Sequence, residues 1–355
     1  MHHTTFPARP ASRPRRIAIN GYGRIGRCYL RSLHESGLAS QFNVVAINEP
    51  ADLASMAYLT RFDSTHGRFP GQVDSTADTL HIDGHPIRIF HATTPEEVDW
   101  QAFAPDLVVE CSGRYGSREQ LQRFLDAGAP RLLLSHPGKA AEDVDATIVF
   151  GVNHAQLNGS EKLVSAASCT TNAVVPVLEC LHRALGVERA LLTTLHSVMN
   201  DQPLIDGYHH SDLRRTRSAM QSIIPVSTGL ARGVERLLPQ LAGRVHAKAI
   251  RVPTLNVSAI DMVLSLEREP AAGEIEALLQ AATQSTYRGL LAWSTEAHAS
   301  VDFNHDPHSA IIDGAQTQLL GPRLLNLVVW FDNEWGFANR MLDLTRHWLA
   351  SALPD

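Results

Sequence analysis

The sequence predicts an α/β fold in two parts: a doubly wound parallel sheet first, then an α+β region on a mostly antiparallel or mixed sheet. Three observations predict it. Short apolar runs alternate with helix-period segments through the first half, the pattern of βαβ units. The first of these runs, 16–20, passes directly into a glycine-rich turn. Beyond Ser168 the apolar runs lengthen and the regular alternation stops.

Arg16-Ile17-Ala18-Ile19-Asn20 reads as a buried strand, and Gly21-Tyr22-Gly23-Arg24-Ile25-Gly26 follows it. In a G-x-G-x-x-G turn between strand and helix, Gly21 permits the tight bend, Gly23 lets the backbone approach a pyrophosphate, and Gly26 lets helix and strand pack closely. This is the fingerprint of a Rossmann dinucleotide-binding domain. The helix is predicted over 27–36, with Cys28, Leu30 and Leu33 inward and Gly37 as its C-cap. A second strand, 42–47, ends at Asn48-Glu49, and Glu49 stands 23 residues after Gly26. That spacing suits a carboxylate on the ribose 2′-hydroxyl, where a 2′-phosphate would be repelled, so the expected cofactor is NAD.

A helix at 53–58 follows, then strands at 79–82 and 87–90 joined by an Asp83-Gly84 turn. Strand 107–110 ends at Cys111-Ser112-Gly113, placing Ser112 and Gly113 at the carboxyl end of the sheet, where such sheets bind ligands. A helix at 119–127 is stopped by Gly128, and strands follow at 131–134 and 146–149.

Lys162 to Val164 closes a strand, and Ser168-Cys169-Thr170-Thr171-Asn172 opens an apolar run with helical spacing to about Leu185. Cys169 therefore stands at a helix N-terminus, where free N–H groups favour an anion and are expected to lower a thiol pKa. It is the candidate nucleophile; the competing reading is a buried structural cysteine. Strand 190–196 ends at His196, a candidate base by its near-neutral pKa, although eighteen histidines compete for that role. Further strands are predicted at 244–252, 257–266 and 324–331, and a terminal helix at 339–353.

A chain of 355 residues with net charge −6 fits two domains and gives no field to hold nucleic acid. No stretch approaches the ~18 apolar residues of a membrane span. Residues 1–14, rich in Pro, His and Arg without an apolar core, read as a disordered tail rather than a secretory signal. Four cysteines without framework spacing point to reduced thiols and a cytoplasmic protein. His209-His210 and the His305 to His308 segment lack zinc spacing, so no metal is expected. Arg214, Arg215, Arg217 and Arg251 offer fixed cationic forks suited to phosphate. Ion pairing with Asp201, Asp206 or Asp212 is the expected fate of Arg214 and Arg217.

In order along the chain, Arg16 to Arg27, Ser168 to Asn172, Leu195-His196-Ser197, Arg251-Val252-Pro253-Thr254 and Asp332-Asn333-Glu334-Trp335-Gly336 resemble the glyceraldehyde-3-phosphate dehydrogenase superfamily. Within it, Asn48-Glu49, Tyr115 to Glu119, Ser135-His136-Pro137-Gly138 and Ser300 to Ala310 are closer to the erythrose-4-phosphate dehydrogenases. The resemblance implies an NAD-binding domain at 15–168, a catalytic domain at 169–333, and a C-terminal helix within 334–355 returning to the first domain. It implies that Cys169 attacks an aldehyde with His196 as base, and that Arg251 and Arg215 bind substrate anions with Ser168, Thr170, Thr228 and Gly229 lining the anion sites. Asn333 would orient the nicotinamide carboxamide.

The activity implied is NAD-dependent oxidation of D-erythrose 4-phosphate to 4-phospho-D-erythronate, serving pyridoxal 5′-phosphate biosynthesis, in a homotetramer. The alternatives are phosphorylating glyceraldehyde-3-phosphate oxidation and, more distantly, a non-catalytic nucleotide-binding interaction protein. Met199 replaces a Thr of the glyceraldehyde enzymes and cannot donate a hydrogen bond. Ser227-Thr228-Gly229 points the other way, towards the glyceraldehyde enzymes. Phe337 replaces their Tyr and Tyr208 a Pro.

Overall fold

The computed structural model describes residues 13–351, which divide into two compact units: 13–168 with 338–351, and 169–337. Of the expected tail, residues 1–12 lie outside the described residues, while Arg13 is held on Asp106 by two side-chain hydrogen bonds of 3.0 and 3.1 Å.

The first unit contains a nine-stranded sheet among the described residues. Its spatial order is Ala146–Thr147, Leu163–Ser165, Leu132–Leu134, Leu107–Glu110, Arg15–Asn20, Phe42–Asn48, His85–Phe90, Thr79–Ile82, Val73–Thr76. All run parallel as far as His85–Phe90, and the last two are antiparallel. The chain leaves Arg15–Asn20 on one side and returns on the other through Leu107–Glu110. A crevice forms outside the carboxyl ends at that point of reversal. The parallel strands are buried apolar runs, as two-sided coverage requires. Tyr29 and Thr345 hydroxyls meet at 2.9 Å, and the Arg131 guanidinium lies 5.7 Å from the Trp348 ring, tying residues 338–351 into this unit.

The second unit carries a seven-stranded mixed sheet: Ile224–Val226, Val245–Arg251, Val187–His196, Ser258–Leu266, Leu324–Phe331, Ala310–Leu320, Leu291–Ser294. Only the pairings of Val187–His196 with Val245–Arg251, and of Leu291–Ser294 with Ala310–Leu320, are parallel. The fold class is the one the sequence predicts, with differences in detail. The first helix is Arg24–Glu35, starting three residues before the expected position because Gly23 is its N-cap. The edge strand Val73–Thr76, the long strand Ala310–Leu320 and the helices Leu230–Leu237 and Glu274–Gln284 join the expected elements.

Candidate functional site

The crevice of the first unit is built by the glycine turn. Gly21 has φ +87°, and a Cβ there would lie 2.4 Å from the Ser112 nitrogen, so no side chain fits. Gly26 packs against the Gly21 carbonyl, which a Cβ would approach to 2.3 Å. Gly23 faces open space, and the helix it caps carries no acidic residue in its first turn and no side-chain cap. The first-turn N–H groups of such a helix suit an anion. Tyr22 contributes its backbone: its N–H donates to Glu49 Oε2 at 2.7 Å, while its buried ring sends the hydroxyl to Thr60. The Arg24 side chain is engaged by Asp63, and Ile25 is half-buried in the helix's first turn. The Glu49 carboxylate lies at the crevice, with Ala51 N–H also donating to it at 3.3 Å. Ser112 lines the same crevice and Gly113 turns just behind it with φ +70°. A cradle only glycine permits, an open anion site and a carboxylate at the second strand's end together fit a dinucleotide with a free 2′-hydroxyl.

In the second unit Cys169 is the first residue of the helix Cys169–Leu185. Its Sγ lies 3.9 Å from His196 Nε2. His196 Nδ1 bonds to the Ser197 carbonyl at 2.8 Å; only a donor can do so, which leaves Nε2 as a bare acceptor facing the thiol. Burial, reinforced by the Arg251 charge, holds the His196 pKa below the usual imidazole range despite the Ser197 contact. The thiol departs from the sequence expectation. Burial pushes Cys169 up to about 11, and the Asp332 and Glu334 charges add to the rise; the N–H groups of Thr170 and Cys169 itself oppose it without prevailing. Helix-end stabilisation is real here but smaller than desolvation. The resting pair is a neutral thiol beside a neutral imidazole.

Strand register sets the next contact. His196 pairs with Arg251 across the two parallel strands, so base and guanidinium emerge side by side. Arg251 is only 4% exposed. Its guanidinium grips Asp201 through Nη1 at 2.7 Å and Nη2 at 3.1 Å, and Met199 Sδ lies 3.5 Å from Nη2. Arg215 joins the same carboxylate at 2.9 Å. Burial would raise the Asp201 pKa, but the Arg251 hydrogen bond and the charges of Arg251 and Arg215 hold it below the ordinary range. Thr228 and Gly229 precede the helix Leu230–Leu237, with the Thr228 hydroxyl accepting from Leu230 N–H at 3.2 Å. Asn333 Oδ1 receives the Ser197 and Ser258 hydroxyls at 3.0 and 2.8 Å, which fixes the amide orientation.

Two family profiles match the chain. The glyceraldehyde 3-phosphate dehydrogenase NAD-binding domain matches residues 15–118, and the C-terminal domain of the same enzyme matches residues 168–333. This chain belongs to the glyceraldehyde-3-phosphate dehydrogenase superfamily. As a member it is an NAD-dependent oxidoreductase acting on an aldehyde sugar phosphate, and its first domain binds NAD.

Against that superfamily assignment, the structure brings together most candidates in two groups: Gly21 to Gly26 with Glu49, Ser112 and Gly113, and Cys169 with His196, Arg251 and Arg215. Ser168 and Thr170 flank Cys169 in the chain. Of the arginines expected to form structural ion pairs, Arg217 pairs with Asp206 at 3.0 Å, whereas the Arg214 bond to Asp212 at 3.0 Å comes from its backbone N–H and not from its guanidinium. Asp201, expected only as a possible partner for those two, is instead shared by Arg251 and Arg215. Glu110 and the Ser197–Ser258 pair were not singled out by the sequence. A carboxylate ending an otherwise apolar buried strand was the available signal for Glu110. Among the described residues, no helix is long and apolar enough to cross a membrane.

Proposed function

We propose that this chain oxidises D-erythrose 4-phosphate to 4-phospho-D-erythronate through a covalent bond to Cys169, with water as the final acceptor. The observation that carries the covalent route is the Cys169 Sγ to His196 Nε2 approach of 3.9 Å, with Nδ1 committed to a carbonyl. His196 takes the thiol proton as sulfur adds to the aldehyde carbon, giving a thiohemiacetal. This coupling matters because a thiol near 11 is scarcely ionised alone at neutral pH. Bound NAD supplies the acceptor for the hydride lost from that carbon, which becomes a thioester. His196 passes the thiol proton to the oxygen that becomes the thiohemiacetal hydroxyl, takes it back as the hydride leaves and releases it to solvent. Neutral again, it removes a proton from attacking water and returns it to the Cys169 sulfur as the acid departs. Arg251 and Arg215 hold the substrate phosphate in place of the Asp201 carboxylate.

Met199 supports the longer sugar. Its thioether lies against Arg251, where a hydroxyl would give a phosphate a donor. Thr228 and Gly229 favour the second reading, phosphorylating glyceraldehyde-3-phosphate oxidation, because they match the attacking-phosphate site of those enzymes. NADH formation from both aldehydes, with and without inorganic phosphate, separates the two. Turnover of erythrose 4-phosphate in phosphate-free buffer supports the proposal. An absolute phosphate requirement with faster glyceraldehyde 3-phosphate turnover sinks it. We place the enzyme in the cytoplasm as a homotetramer. Leu204, Ile205, Tyr208 and Leu213 stand largely exposed in the 198–221 segment, which suits a subunit interface. Sedimentation at 38.9 kDa would refute the assembly.

A further inference from the structure

We propose that Glu110, in its ionised form, is a positioning residue of the cofactor crevice, and that NAD binding is coupled to release of its proton. Glu110 is wholly buried at the end of the strand Leu107–Glu110. Its Oε1 accepts the Ser112 N–H at 2.7 Å, the Gly113 N–H at 3.1 Å and the Ser112 hydroxyl. Its Oε2 accepts the Asn20 amide. The carboxylate thus shapes the Ser112-Gly113 turn, whose backbone also packs against Gly21.

The chain of bonds runs on beneath the crevice with a fixed direction. Asn48 Nδ2 donates to Asn20 Oδ1 at 2.8 Å. Asn48 is itself pinned by one backbone unit: Ala92 N–H donates to its Oδ1 at 2.9 Å, and its Nδ2 reaches the Ala92 carbonyl at 3.2 Å. Turning the Asn48 amide over would set donor against donor and acceptor against acceptor. Asn20 therefore keeps its Oδ1 towards Asn48 and its Nδ2 towards Glu110. The Ser112 N–H, the Gly113 N–H and Asn20 Nδ2 can only donate, and the Ser112 hydroxyl would have to turn round to accept, so a proton on either oxygen displaces or reverses one of the bonds. Asn20, Asn48 and Glu110, the last residues of three adjacent strands, keep this one direction of bonds while the carboxylate is charged.

The balance is close. Burial raises the Glu110 pKa to about 7 against the opposing bonds from Ser112, Asn20 and the turn N–H groups. Both protonation states are populated near neutral pH, and a ligand that needs the ordered turn selects the ionised one. Two other titratable groups sense the Glu110 charge: the Cys111 thiol, pushed up by burial first and Glu110 second, and Tyr115, raised by the same two causes. Both stay neutral where Glu110 titrates. At the crevice stand Glu49, whose backbone carbonyl bonds to His91 Nδ1 at 2.9 Å, and Arg114.

The test is the dissociation constant of NAD against pH from 5.5 to 8.5, by calorimetry in two buffers of different ionisation enthalpy. The parent protein should bind NAD about tenfold more weakly for each unit below a midpoint near 7, releasing a proton on binding there. Glu110→Gln should bind weakly with a flat profile and no proton release. Ser112→Ala removes one donor to the carboxylate and should move the midpoint upward whether or not Glu110→Gln folds. A flat parent profile, a profile surviving in Glu110→Gln, or an unmoved midpoint in Ser112→Ala overturns the proposal.

Discussion

Replacing Arg251 with alanine removes the group proposed to hold the substrate phosphate. The guanidinium is 4% exposed and fixed by two contacts to Asp201 at 2.7 and 3.1 Å. A phosphate taking the Asp201 place would meet Nη2, which hydrogen-bonds the carboxylate, and Nη1, which is ion-paired with it, in charge-assisted bonds each worth about 1.5–3 kcal/mol. Displacing Asp201 offsets part of that, so the net loss is ~3 kcal/mol, or about a hundredfold in kcat/KM. The fold should survive, because Asp201 keeps Arg215 and its side chain is already 40% exposed. The assay compares the sugar phosphate with the same aldehyde lacking phosphate. Arg251→Ala should lose about a hundredfold on the first and less than about threefold on the second. Equal losses on both substrates would show that Arg251 supports the site's architecture and does not read the phosphate.

Cys169→Ser should keep NAD affinity within about twofold and drop oxidation by more than about a thousandfold, because a hydroxyl is far less acidic than a thiol; equilibrium dialysis with a turnover assay checks both. Glu49→Ala should weaken NAD and narrow its advantage over NADP, read from paired kcat/KM values; equal turnover with both cofactors in the parent enzyme would contradict the assignment. Gly21→Ala should cost at least ~2 kcal/mol at the turn and abolish NAD binding, since the new Cβ meets the Ser112 backbone at φ +87°; calorimetry on the folded variant measures it. In the proposed mechanism His196 acts as a neutral base above its pKa, and burial places that pKa below the ordinary value of roughly 6.5. With saturating NAD, kcat/KM should therefore persist below pH 6.5 and fall about tenfold per unit only beyond its acid midpoint; a midpoint above 6.5 would contradict a buried neutral imidazole.

The strand, glycine turn and helix at Arg15–Glu35 are legible because each glycine answers a local geometric need. The helix opening at Cys169 is legible from apolar spacing alone. Other parts resist for definite reasons. Ala310–Leu320 contains Asp313 and Gly314, its register to Leu324–Phe331 shifts after Asp313, and its second half is largely solvent-facing. A strand with such a break shows no steady period of two. Val73–Thr76 is a polar edge strand with one buried residue, so nothing apolar announces it. Arg251 and Asp201 stand 50 residues apart in the chain, and the parallel pairing of the Arg251 strand with the strand that ends at His196 is what sets the Arg251–Asp201 pair beside His196. The Cys169 thiol illustrates the same limit. Its place at a helix start is local and readable, while the burial that outweighs the helix end belongs to the folded molecule.

Covalent catalysis by Cys169 is tested most directly by acid-quenching a single turnover of enzyme, NAD and D-erythrose 4-phosphate, followed by peptide mass analysis. The predicted result is a transient acyl adduct on the Cys169 peptide. It should form together with NADH and decay in phosphate-free buffer, and be absent from Cys169→Ser. NADH formation with no adduct at any time, retained by Cys169→Ser, would contradict it.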